Sequence, residues 1–305
     1  EEKYIEGKIK NLLECYPRDK MNILVVDNGS NDKTGEIASR MDVRLLNSKP
    51  GKINALNTGL ENAKTNIIIM TDADTILQPG SIKSMLGYIH GNIGAVGGYT
   101  SLVKKKLFYM ESKNAYSEND WMTRYKEGLL DSCVSLDGKL IAFRKDLFSK
   151  FPDNCYQDDY ELTFSLRKNG YRSIIDRNAI VYEETPSGLL EEIKQIRNRM
   201  RISIMMNFKK IRFLFNPRYG YYSMFIFPSR RFLPLMLPWF AAYIFVFVAA
   251  YSWIIALLLA GILVAGLFIL GKEYMVMQLI GVTLAWLDII TLRVKTGAKW
   301  KKVES

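Results

Sequence analysis

From Phe232 to Gly271 the chain runs 40 residues without an Asp, Glu, Lys or Arg. Wound as a helix at about 1.5 Å per residue, that run reaches about 60 Å, twice a bilayer core of about 30 Å. Two antiparallel apolar helices turning near Ala250 to Trp253 are the economical arrangement, and a purely soluble protein is a poor fit. A third apolar segment, Tyr274 to Leu292, carries Asp288 and either spans or lies along the interface. If it spans, the basic residues Lys295 to Lys302 fall opposite the bulk of the chain, against the positive-inside tendency.

The charge is distributed around that run. The net +11 is concentrated in Arg197, Arg199, Arg201, Lys209, Lys210, Arg212, Arg218, Arg230 and Arg231 before it, and in Lys295, Lys299, Lys301 and Lys302 after it. This placement suits anchoring against anionic lipid. No zinc-finger or RNP-type pattern accompanies the charge, so a nucleic-acid partner is not expected. Between residues 203 and 231, Tyr219, Tyr221, Tyr222, Phe225 and Phe227 mix with Arg218, Arg230 and Arg231. That composition belongs to an amphipathic element at the headgroup level.

Cys15, Cys133 and Cys155 are odd in number and form no CxxC, which indicates neither a disulfide framework nor a zinc site. His90 is the only histidine, so acid–base chemistry must fall to carboxylates. The chain opens with Glu1, Glu2 and Lys3, without a basic-then-apolar leader.

Before the apolar run, strands alternate with helices. Lys3 to Cys15 is an amphipathic helix, and Met21 to Asp27 is a buried strand closed by Asn28-Gly29-Ser30. Val43 to Leu46, Asn66 to Met70, Ala95 to Tyr99, Leu140 to Phe143, Ser173 to Ile175 and Ala179 to Tyr182 read as further strands. Helices are expected at 54–63, 81–89, 158–168 and 189–206, with a partly helical stretch in 104–131. The alternation predicts an α/β domain with an open, mostly parallel sheet, whose ligands sit beyond the carboxyl ends of the strands. Asp27 closes one strand, and Asp72 and Asp74 close another.

Asp72-Ala73-Asp74 places two carboxylates on one side of an extended segment. Hard oxygen donors without histidine or thiolate suit Mg2+ or Mn2+ shared with substrate phosphates, although a DxD alone is equally a solvated turn. Gly51-Lys52 opens a helix and offers a cation. Asp158-Asp159 starts another, where a simple N-terminal cap is the plainer reading.

Together the stretches DNGSNDKT at 27–34, GKINALNTGL at 51–60, TDADTILQPGSI at 71–82, DGKLIAFRKDLF at 137–148 and QDDYELTFSLRKNGYR at 157–172 change that balance. In order and spacing they resemble the family 2 glycosyltransferases, specifically the membrane-bound branch of cellulose, hyaluronan, chitin and poly-N-acetylglucosamine synthases. The resemblance covers residues 1–231. It implies a GT-A nucleotide-sugar fold and an inverting sugar transfer from a nucleotide diphosphate sugar, with uridine the expected nucleotide. Asp27 matches the acidic residue at the uracil base, with Asp32 in the same loop, and Lys52 matches the donor-site lysine. Asp72 and Asp74 match the pair holding the diphosphate and its metal, and Asp159 matches the general base, with Asp158 in place of a common glutamate. Gly138 falls in the acceptor-side strand.

Two departures stand out. The QxxRW signature of the branch is replaced by Gln195-Ile196-Arg197-Asn198-Arg199-Met200, where Arg199 either serves the diphosphate or acceptor or faces lipid. The apolar strand with which family members begin is missing ahead of Glu1-Glu2. The expected organisation is a catalytic domain over 1–202, an interface segment over 203–231, a transmembrane region over 232–292 and a basic tail over 293–305. The expected setting is the cell membrane, multi-pass, with the catalytic domain cytoplasmic and a glycan or lipid acceptor. Single-sugar transfer to a lipid and a catalytically idle scaffold of the same fold are the alternatives.

Overall fold

The computed structural model describes residues 1–103, 109–184, 188–270 and 272–291. Residues 104–108 of the partly helical stretch, Leu292 and the basic tail 293–305 lie outside the described residues. Helix α1 (Ile5–Cys15) buries Ile5, Ile9 and Cys15 along one stripe, as its helical spacing of apolar residues requires. There follow β1 (Leu24–Asp27), α2 (Thr34–Ser39), β2 (Arg44–Asn47), α3 (Lys52–Asn62), β3 (Ile67–Thr71), β4 (Thr75–Leu77), α4 (Ser81–Tyr88) and β5 (Ile93–Val103). Then come α5 (Met110–Leu130), β6 (Leu140–Arg144), α6 (Asp158–Lys168), β7 (Arg172–Glu184) and α7 (Leu189–Lys209).

The sheet is mixed, which corrects the expectation of a mostly parallel one. β1 and β2 pair in parallel. The remaining strands form a five-stranded sheet in the order β3-β6-β5-β7-β4, in which β5 and β7 pair in parallel and every other neighbouring pair is antiparallel. Alternation of strands and helices reports layering, not direction. Here the loop after α5 is pinned across the start of β7, where the Cys133 N–H donates to Ser173 O at 2.8 Å and the Ser173 N–H to Ser132 Oγ at 2.9 Å. The chain thereby enters β6 antiparallel to both neighbours. The two short strands expected over 173–182 are one strand, β7, with an irregularity opposite Gly97 and Tyr99.

Both faces of the sheet are covered. Leu60, Trp121, Phe143, Phe151, Leu162 and Leu166 pack on one side, and Cys15, Leu77, Ile82, Met85, Val96 and Leu140 on the other. Burying each large apolar side chain contributes roughly 1.5–3 kcal/mol.

Beyond α7, two π-helical stretches, Tyr222–Ile226 and Pro228–Phe232, lead into α8 (Leu233–Tyr251), α9 (Trp253–Ile269) and α10 (Glu273–Ile290). α8 and α9 are separated at Ser252 and leave large apolar side chains open, such as Tyr243 at 72% and Ile262 at 67% exposure. By length and composition, two helical stretches could cross a membrane, Tyr222–Tyr251 and Glu273–Ile290. α10 also docks on α7. Ile196 packs with Tyr274 and Met277, and Ile204 with Val282 and Ala285. The docking has polar fasteners as well. Buried Lys113 and Glu192 pair at 2.6 Å, the Tyr274 hydroxyl donates to Glu192 at 3.2 Å, and Arg197 forks onto Asp288.

Candidate active site

Helix α3 starts at Gly51, whose φ of 118° is a conformation that side chains rarely adopt. This turn sends Lys52 toward the end of β3 and the start of α6. Its Nζ lies 3.2 Å from Asp158 Oδ2 and 3.6 Å from Asp72 Oδ1. Gly138, just before β6, borders the same space. A methyl group there would rest 3.4 Å from Lys52 Nζ and 3.5 Å from Asp158 Oδ2. Strand, turn and helix N-terminus from four separate stretches of sequence therefore converge.

The electrostatics of this cluster are strained in a consistent direction. Burial raises the Asp72 carboxyl above its ordinary range, and Lys52 only partly opposes it. Burial would lower Lys52, but Asp158 and Asp72 outweigh that and hold the ammonium above the usual lysine range. Burial, then the neighbouring Asp158, pushes Asp159 up, against the pull of Arg231 and Arg124. A carboxylate raised in this way is a better proton acceptor than a solvated one.

Six further side chains join the cluster that the sequence did not mark as site residues. For Asp137, burial would raise the carboxyl, but Lys139 and Arg124 bring it down to about 2, and the Thr100 hydroxyl donates to it at 2.9 Å. Lys139 bridges Asp137 at 2.9 Å and Glu183 at 3.0 Å. Arg124 donates to the Leu136 carbonyl at 2.9 Å, and Arg231 lies 4.6 Å from the Tyr160 ring centroid. Asp137 and Lys139 flank Gly138 inside a motif already legible in the sequence. Arg124 and Arg231 come from a polar helix and a basic segment that offered no such signal.

The other expected residues sort themselves by position. Burial raises Glu183, with Lys139 and, more weakly, Arg199 opposing, which places Arg199 at the edge of the cluster. Asp27 accepts from the Ser30 and Gly29 N–H groups at 2.8 and 3.2 Å. Asp32 accepts from the Thr34 N–H at 3.0 Å just ahead of α2, with the Glu1 ammonium 2.6 Å away. These two form a separate group on the β1–α2 loop. Asp72 and Asp74 offer hard oxygen donors. Among the described residues, no three His, Cys, Asp or Glu side chains are grouped to hold a metal by themselves. The donor chemistry fits a divalent ion that completes its shell with ligand oxygens, as Mg2+ and Mn2+ do.

The family described as Glycosyl transferase family 2 matches residues 1–151. Those residues form a family 2 glycosyltransferase domain. The chain is 26% identical over 204 residues to the probable glycosyltransferase YdaM of Bacillus subtilis, covering 61% of this chain and 49% of that protein. It is 28% identical over 218 residues to the uncharacterized glycosyltransferase YaiP of Escherichia coli, covering 67% and 54%. The chain thus spans about half the length of these curated relatives. Among solved structures it is similar to the mannosyltransferase PcManGT of Pyrobaculum calidifontis, in complex with GDP-Man and Mn2+. The TM-score is 0.75 at 24% identity, covering 96% of this chain and 85% of that one. The fold of this glycosyltransferase is GT-A.

Proposed function

We propose that this glycosyltransferase is anchored in a membrane and moves a sugar, with inversion, from a uridine diphosphate sugar to a glycan or lipid-linked acceptor, as in polysaccharide synthesis. The observation that carries the reading is the convergence on the Lys52 ammonium of Asp158 at 3.2 Å and Asp72 at 3.6 Å, with Gly138 bordering the same space and Asp159 next to Asp158 in sequence. Inversion needs one in-line displacement at the anomeric carbon. Asp159 takes the proton from the acceptor hydroxyl as that oxygen attacks, and the diphosphate leaves from the opposite face. Lys52 places a fixed cation where the departing diphosphate gathers charge. A divalent ion, when bound, would be held by Asp72 and Asp74 and would neutralise the same leaving group. Asp27 and Asp32 serve the nucleotide, and Gly138 and Asp158 border the acceptor.

The exposed apolar surfaces of α8 and α9 support burial in lipid rather than water, with 203–231 as the interface segment and the catalytic domain, residues 1–202, on the cytoplasmic side. α10, one-third buried against the rest of the chain, spans alongside α7 or lies at the boundary. The test is a screen of labelled UDP- and GDP-sugars with membranes carrying the protein and its Asp159→Asn variant. Transfer from a UDP-sugar by the parent alone is the expected result. Transfer by the variant at the parent's rate removes Asp159 from the base role, and transfer from GDP-sugars only overturns the uridine assignment. Product length in detergent separates polymer extension from addition of one sugar to a lipid.

A further inference from the structure

Lys8 lies on the apolar stripe of α1, one residue from Ile9, and is only 3% exposed. A buried ammonium is costly unless its protons are taken up. Here they are. Nζ donates to Thr71 Oγ1 at 2.7 Å, to Thr75 Oγ1 at 2.9 Å and to Thr75 O at 3.0 Å. All three acceptors are neutral, and they stand immediately before and after Asp72-Ala73-Asp74. The two threonines extend the grip. The Thr75 hydroxyl reaches Asp72 O at 2.9 Å, and the Thr71 hydroxyl reaches Lys139 O at 2.8 Å.

Docking α1 against this part of the sheet does not require Lys8. Asn11, one turn on, already pairs with Leu77 in both directions, its amide donating at 2.9 Å and its oxygen accepting at 2.8 Å. Cys15 and the partly buried Leu12 supply apolar contact beside Leu77, while Ile5 and Ile9 pack with Ile23 and Ala38 on the β1 side. What Lys8 adds is a three-point hold on the turn that carries the two carboxylates.

We propose that Lys8 is a positioning residue of the metal–diphosphate site: from beneath, it clamps the Thr71–Thr75 turn so that Asp72 and Asp74 present their oxygens together. The proposal rests on the assignment of those two aspartates to that site. Removing the clamp lets the turn open, so that a divalent ion must be supplied at higher concentration to bridge protein and diphosphate.

The experiment is calorimetric titration of the full chain in detergent with UDP at graded Mn2+, paired with thermal melting. Lys8→Met keeps the length of the side chain and removes its donors. It is expected to raise the Mn2+ concentration for half-maximal UDP binding about tenfold or more. Thr75→Val leaves the Lys8 charge in place and removes one acceptor, and it is expected to move the same way by less, while Thr75→Ser restores the parent value. Asn11→Ala is the structural control, expected to lower the melting temperature without moving the Mn2+ dependence. A folded Lys8→Met with the parent's Mn2+ dependence overturns the clamp. If Lys8→Met does not fold, the Thr75 pair decides, and a Thr75→Val indistinguishable from Thr75→Ser overturns it equally. A parent that shows no Mn2+-dependent UDP binding overturns the site assignment itself, which is a different failure.

Discussion

Gly281 lets α10 approach Ile196 of α7 without a side chain between them, and replacing it tests whether that docking holds the C-terminal helices to the catalytic domain. A Cβ at 281 would collide with Ile196 Cγ2 and sit 3.0 Å from Ile196 Cβ and 3.4 Å from the Arg197 backbone nitrogen. Alanine alone introduces the offending atom, and the neighbour is a branched, fully buried side chain with no room to rotate away. Relief requires α10 to back off, which stretches the Tyr274–Glu192 hydrogen bond and the Arg197–Asp288 fork. Overpacking of this kind costs about 1–3 kcal/mol. For a chain of this size that corresponds to a melting shift on the order of 2–12 °C. Thermal melting in detergent followed by circular dichroism reads the shift, and tryptophan fluorescence adds a signal from Trp286, which lies on α10 and donates to the Leu235 carbonyl of α8 at 2.8 Å. Gly266→Ala in α9 is the matched control. A methyl there meets nothing within 4 Å, so its melting should equal or slightly exceed the parent's. If Gly281→Ala melts with Gly266→Ala, the close approach of α7 and α10 is not what secures the helices.

Asp159→Asn should cut turnover by about 10²–10⁴ while UDP binding by calorimetry stays within about twofold. Because its folded-state carboxyl is raised, Asp159 is protonated at acidic pH, and the turnover of the parent should climb as pH rises through a limb well above the ordinary carboxylate range; a limb at the ordinary value would detach the base from this residue. The same shift makes the ionised form a burden on the fold. Stability is therefore fully present below the ordinary carboxylate value and falls as pH rises toward the raised one, so the Asn variant should melt no lower than the parent at neutral pH. Chelation with EDTA should abolish transfer and Mn2+ should restore it, and rates untouched by chelation would remove Asp72 and Asp74 from metal binding. Lys113→Met strands the buried Glu192 carboxylate and should lower stability by about 3–5 kcal/mol, a loss that Lys113→Met combined with Glu192→Leu should largely reverse in a melting assay.

Helix and strand positions were legible where periodicity was strong. The helix at 158–168 and the apolar face of α1 follow directly from spacing, and so do the strands ending at Asp27 and near Asp72. Strand direction was not legible, because nothing in the composition of Leu140–Arg144 records which way it runs between β3 and β5. β4, with three residues, was too short for any period to register. At the site, motif residues declared themselves by their neighbours in sequence, as Lys52 did after Gly51 and Asp159 beside Asp158. Arg124, Glu183 and Arg231 did not, since their roles depend on folds of the chain that bring α5, β7 and the approach to α8 together. Lys8 had one visible trace, a charge on an otherwise apolar helical face, and only the three oxygens around it explain why it is there.

The wide winding from Tyr222 to Phe232 also governs the orientation of everything downstream. Each ordinary helical residue advances the azimuth by about 100°, so inserting or deleting one residue here with the winding otherwise kept would rotate α8 by nearly that angle about its own axis. Arg230, now held by Asp120 and Glu127 of α5, and Arg231, now over Tyr160 of α6, would face elsewhere. The catalytic half and the apolar half of the molecule are thus indexed to one another like the teeth of two gears, and a one-residue change in that short span would misalign them without altering a single residue of either.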